Sequence, residues 1–109
     1  MSMTNGEAVR LANHIAQHAA ADGGGPVAIV ILGNGGVELE LRFTGKVDVD
    51  TLNAARNKAG AALVNGYSSS SGASLVLSLG GNVIGAVGVA GRSAGANQEL
   101  ASLRRPSVY

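Results

Sequence analysis

Two histidines, His14 and His18, stand four residues apart in the stretch ANHIAQHAA. On a helix that spacing projects both rings from one side, where two imidazoles can share a metal or one can ligate a haem iron. A helical wheel sets His18 about a quarter turn from the apolar stripe and His14 further out, so His18 is the better candidate for an iron ligand. Two solvated or interface histidines are the plainer reading of the pattern, because no HExxH motif and no cysteine completes a metal set. No structural metal is expected. Lys58 falls at the edge of an apolar helical stripe. It either lays its stem along that surface with the ammonium in water or holds an anion such as a carboxylate. Arg92 lies in the glycine loop Gly91–Gly95, where it could pair with an anion or with solvent alone. Asn97 and Gln98 follow at the start of a short helix, where free N–H groups favour anions and Asn97 could act as the cap. Glu38 and Glu40 form a carboxylate pair on an exposed strand face, suited to solubility or to acid/base work under a covering subunit. Ser68 to Ser71 lack a G-x-S-x-G context, so no serine nucleophile is indicated.

The run GGNVIGAVGVAG, residues 80–91, could be read as a phosphate loop, a membrane helix or a strand. A phosphate loop leads into a helix and usually carries a lysine, whereas here β-rich VIGAVGV follows and no lysine does. The apolar run is too short for a membrane span. A strand remains, its glycines removing side chains where a helix or ligand comes close. Gly85 and Gly88 have opposite strand parity, so both faces would be opened.

These residues need elements to position them. Glu7–Ala21 reads as a helix capped by Thr4 or Asn5, with Ala8, Ala12, Ile15 and Ala19 as its apolar stripe and Leu11 at the edge. Val27–Leu32 reads as a strand, and Gly33-Asn34-Gly35-Gly36 as a hairpin turn. Val37–Phe43 alternates as a half-buried strand with Glu38, Glu40 and Arg42 on its wet face. Asp50 caps a second helix running to Val64. Leu75–Leu79 and Val83–Val89 form a second hairpin, and Asn97–Arg104 a last short helix. Tyr67–Gly72 is a loop that could serve as a lid, and residues 105–109 a frayed tail. The order α-β-β-α-β-β-α describes a single α/β (α+β) domain over residues 1–109. Its antiparallel sheet has about four to five strands, with helices packed on one face.

Composition sets the outer limits. Among 109 residues, 46% are apolar, 14% charged and 3% aromatic, so the core must be built from Ala, Val, Leu and Ile. Low charge leaves apolar surface that a partner subunit would cover, and a homo-oligomer, dimer or larger, is expected. The net charge of +1 gives no footprint for nucleic acid. Absent cysteines, an N-terminus without a signal-peptide pattern and short apolar runs point to a cytoplasmic protein without membrane spans.

The stretch VIGAVGVAG resembles the "IGAIGVSG" signature of the GlcG/HbpS group, the DUF336 or haem-degrading family. HIAQHAAADGGGPVAIVILGNGG is similar to its first helix and following strand motif. LNAARNKAGAALV resembles its "A-x-x-KA-x-TA" helix with Lys58 in register, and GRSAGANQELA its "GGTPEQDEAIA" ending. The resemblance spans roughly residues 7 to 101. It implies a small α/β sandwich, a sheet flanked by helices and often assembled into oligomers. It also implies haem or tetrapyrrole binding with a redox connection, and it makes Lys58 a candidate contact for a haem propionate. Members include haem-binding redox-related proteins, an accessory protein of glycolate utilisation and the C-terminal domain of some cobalamin adenosyltransferases. Gly33 replaces an aspartate of the pattern, Ser71-Gly72-Ala73-Ser74 its "GG-x-P", and Asn97 an acidic position, which removes carboxylates that would shape a pocket. Three functions follow as expectations. They are a haem-binding module using His18, His14 and Lys58, a cofactor-independent enzyme on a small organic acid with Lys58 and Gly91–Asn97 holding the anion, and a ligand-free oligomeric scaffold.

Overall fold

The computed structural model describes residues 2–66 and 71–103. Three helices and four strands follow in the expected order: α1 (Asn5–Ala21), β1 (Ala28–Gly33), β2 (Glu38–Phe43), α2 (Val49–Asn65), β3 (Ala73–Leu77), β4 (Val83–Ala90) and α3 (Ala94–Ala101). The sheet is antiparallel throughout, in the order β2-β1-β4-β3. The expected lid segment from Tyr67 to Ser70 and the tail from residue 104 onward lie outside the described residues.

α1 starts where its sequence allows a reciprocal cap. The Glu7 amide donates to Thr4 Oγ1 at 3.1 Å, and the Thr4 amide donates to Glu7 Oε1 at 2.8 Å. Its stripe of Ala8, Leu11, Ala12, Ile15 and Ala19 is fully buried. For α2 the cap is Asp48, not Asp50: the Asp48 carboxylate accepts the Thr51 amide at 2.8 Å. Gly66 closes the helix in the left-handed conformation. α3 begins three residues earlier than expected because Ser93 caps it, accepting the Ala96 amide.

Helices cover both faces of the sheet, which corrects the expectation of one. β1 is buried along its whole length, the pattern of a strand with no wet face. One core joins α1 and α3 to Ile29, Ile31, Val76, Val87 and Val89. A second joins α2, through Ala55, Ala59 and Ala62, to Ala28, Val30, Ala86 and Ala90. α1 and α2 do not touch. The second core is built from small side chains, and Gly88 shows why. A Cβ placed there would lie 2.0 Å from the Ala55 carbonyl oxygen and 2.9 Å from the Ala59 nitrogen. α2 therefore rests on bare β4 backbone, the close approach that the glycines of residues 80–91 prefigure. Gly85, of opposite parity, meets Met3 on the other face.

β2 departs from simple alternation. Ile31 pairs with Glu40 but Leu32 pairs with Glu38, so Leu39 is an extra residue. The bulge splits the expected wet face in two. Glu38 stands on the α2 side and pairs with Arg56, Nε to Oε1 2.8 Å. Glu40 and Arg42 stand on the α1 side, where Arg42 binds both Glu40 and Asn13 of α1.

Candidate functional site

The outward face of α1 carries the two histidines. Their ring centroids lie 6.4 Å apart with planes inclined at 58°. Neither imidazole is hydrogen-bonded to a described residue, so both keep their nitrogens for a ligand. His18 is exposed and His14 half-buried, the reverse of the order read from the helical wheel. His18 nevertheless borders the more apolar recess. A cleft of about 150 Å³ opens beside it, lined also by Asp22, Arg92, Ala96, Glu99, Leu100 and Leu103. Towards the N-terminus, Arg10, Asn13, His14 and Gln17 line a shallower polar hollow of about 330 Å³.

Arg92 reaches this face from the turn after β4 and locks the end of α1. Its Nη2 donates to the Ala19 carbonyl at 2.9 Å, its Nε to the Gly25 carbonyl at 2.7 Å, and its Nη1 pairs with Asp22 at 2.7 Å. The guanidinium thus satisfies a carbonyl of the last helical turn that has no helical partner. The bond from Arg92, reinforced by the Gly24 amide, holds the Asp22 carboxyl below its ordinary 3.8. Asp22 is on the surface, so the consequence is positional: the last turn of α1, with His18 on it, is tied to the β4–α3 turn.

Lys58 stands apart from the histidines within the chain. It projects from α2 on the opposite side of the sheet, and its Nζ donates to the Val89 carbonyl at 3.1 Å. Burial lowers the ammonium's pKa from 10.5. Gly72 leaves room for it: a Cβ there would lie 3.2 Å from Nζ and 2.4 Å from the Val89 oxygen.

Asn97 and Gln98 stand beside that junction with their amides paired inside the protein. Asn97 is buried, accepts the Arg92 amide at 3.0 Å and donates to the Arg92 carbonyl at 2.9 Å. The capping role expected of it is filled by Ser93. Gln98 Oε1 accepts from Gly72 and Ala73 at 2.9 and 3.2 Å, while its Nε2 donates to the Ala73 carbonyl and Ser102. Both side chains fasten α3 to the strands. The contributors that sequence reasoning missed are Leu100 and Leu103, which give the His18 cleft its apolar wall, and Arg10. For the two leucines, heptad-like spacing from Ala96 was the available signal. Among the described residues, no group of three His, Asp or Glu side chains could hold a metal ion. No helix there is long and apolar enough to cross a membrane.

No family model matches the chain, and no curated protein does. Solved structures do. The DUF336 protein ORFY of Klebsiella pneumoniae superposes with a TM-score of 0.76 at 21% identity, over 91% of this chain and 85% of that one. PduOC, solved as a haem complex, gives 0.76 at 16% identity over 93% and 91%. A double mutant of Streptomyces reticuli HbpS gives 0.72 at 19% identity over 93% and 83%. At these identities the likeness is one of fold: the chain has the antiparallel α/β sandwich of ORFY, PduOC and HbpS, the group that its motifs resemble.

Proposed function

We propose that this protein is a haem- or tetrapyrrole-binding module whose ligand lies against the outward face of α1, with His18 as the iron ligand and His14 beside it. The observation that carries the reading is the pair of imidazoles on one face of α1, neither hydrogen-bonded to a described residue, with His18 bordering a cleft whose wall includes Leu100 and Leu103, on a fold otherwise seen in a PduOC–haem complex and in HbpS. The donor chemistry fits: neutral imidazole is a common axial ligand of haem iron. Haem bound there would supply a redox-active iron. The chain's own residues would orient it. Arg92 fixes the turn that bears His18, and Leu100 and Leu103 offer the macrocycle an apolar wall.

The cleft holds about 150 Å³, well below the roughly 300–1,000 Å³ of pockets that enclose a drug-sized ligand. The macrocycle would therefore lie along α1, and a second copy of the chain covers its far side. Titration of the protein with hemin tests the reading. A saturable Soret shift is expected, with affinity falling about tenfold or more in His18→Ala and less in His14→Ala, and with the bound species a dimer or larger by native mass spectrometry. Absence of a saturable shift in the unaltered protein would refute it.

A further inference from the structure

The outward face of α1 changes character along its length. Its N-terminal half presents the polar hollow of Arg10, Asn13, His14 and Gln17. Its C-terminal end presents the His18 cleft, whose lining combines Leu100 and Leu103 with the carboxylates of Asp22 and Glu99. The cations differ as well. Arg92 has spent its guanidinium on Asp22, Ala19 and Gly25. Arg10 makes no hydrogen bond or ion pair with any described residue. With Arg92 and Asp22 neutralising one another, the cleft retains the negative charge of Glu99, while the hollow retains the positive charge of Arg10.

Eight residues separate Arg10 from His18, about 12 Å along a helix, and His14 lies between them. A long arginine side chain can cover part of that distance, so both ends of the face can engage one flat ligand.

We propose that Arg10 and the polar hollow around it form a carboxylate subsite, which orients an amphipathic tetrapyrrole with its acidic edge towards the start of α1 and its apolar edge over Leu100 and Leu103. The inference rests on the haem reading and adds a direction to it. Glu99 reinforces the choice by repelling carboxylates from the opposite end. Asn13, which also lines the hollow, uses its oxygen on Arg42 and keeps its amide N–H groups as further donors. Exposed charge pairs are weak, so the effect is one of orientation and modest affinity.

Paired titrations with hemin and hemin dimethyl ester, in which both carboxylates are masked, test this subsite on the full chain. The unaltered protein should prefer hemin by about three- to tenfold, the range expected for a charge-assisted hydrogen bond at a partly exposed site. Arg10→Gln should abolish the preference by weakening hemin alone and should leave the Soret position of the bound species unchanged. Arg10 is exposed, so the variant should retain the helical circular dichroism of the parent. A preference that survives in Arg10→Gln, or no preference in the parent, would overturn the subsite while leaving the haem reading intact. If neither compound gives a saturable shift with the parent, the haem reading fails and the subsite with it.

Discussion

Lys58 shows how a single side chain can match a motif and still be employed internally. Its position on a helical stripe was legible in the sequence. Its partner was not, because the Val89 carbonyl comes within 3.1 Å only once α2 is laid on β4. A lysine whose pKa is lowered by burial has the following pH signature. The unfolded chain binds the proton more tightly than the native one, so the native state is penalised wherever the side chain is charged. That penalty disappears as pH rises through the lowered folded pKa towards 10.5. Urea unfolding midpoints should therefore rise between the folded pKa and 10.5, and Lys58→Met should remove this part of the pH dependence. An identical pH profile in the variant would show that the ammonium is fully hydrated in the native state. The histidines followed the same course. Their shared side was evident from a spacing of four, while their surroundings depended on Leu100 and Leu103, some eighty residues further along the chain.

At the scale of elements, the small-residue stripes of α2 and β4 determine how close the layers come. Gly88→Ala would drive a methyl group into the backbone of Ala55 and Ala59, atoms with no freedom to rotate away. Destabilisation of about 1–3 kcal/mol or more is expected, the range for overpacking a core. Gly60→Ala provides the contrast on the same helix. A Cβ there meets nothing within 4 Å, so the substitution should stabilise by about 0.5–1 kcal/mol through helix propensity alone. Denaturant midpoints of the two variants should move in opposite directions, and a neutral Gly88→Ala would disprove the close packing. Turns, the order of elements along the chain and helix existence were readable from glycine placement, helical apolar stripes and β-branched runs. Two features escaped for local reasons. The bulge at Leu39 leaves an alternating sequence unchanged while it moves side chains to the other face. β3 begins at Ala73 because Gln98 pairs with the backbone of Gly72 and Ala73, a contact from a distant helix. Leu79, which resembles a continuation of that strand, stands almost fully exposed in the turn.

For the whole molecule, the decisive feature is that the sheet separates two surfaces. α1 and α3 carry the histidines, the cleft and Arg10, while α2 carries Lys58 on the other side. The sequence contains all of these residues but does not state which helix covers which face, and so a motif-based reading joins His18 and Lys58 into one site. Ferric haem broadens the NMR signals of nuclei close to the iron, which makes the bound position directly visible. In isotopically labelled protein titrated with hemin, amide resonances of α1 near His14 and His18 and of α3 near Leu100 should broaden selectively, and those of α2 around Lys58 should stay sharp. Broadening centred on Lys58 and the start of β3, with the α1 signals unaffected, would contradict the account.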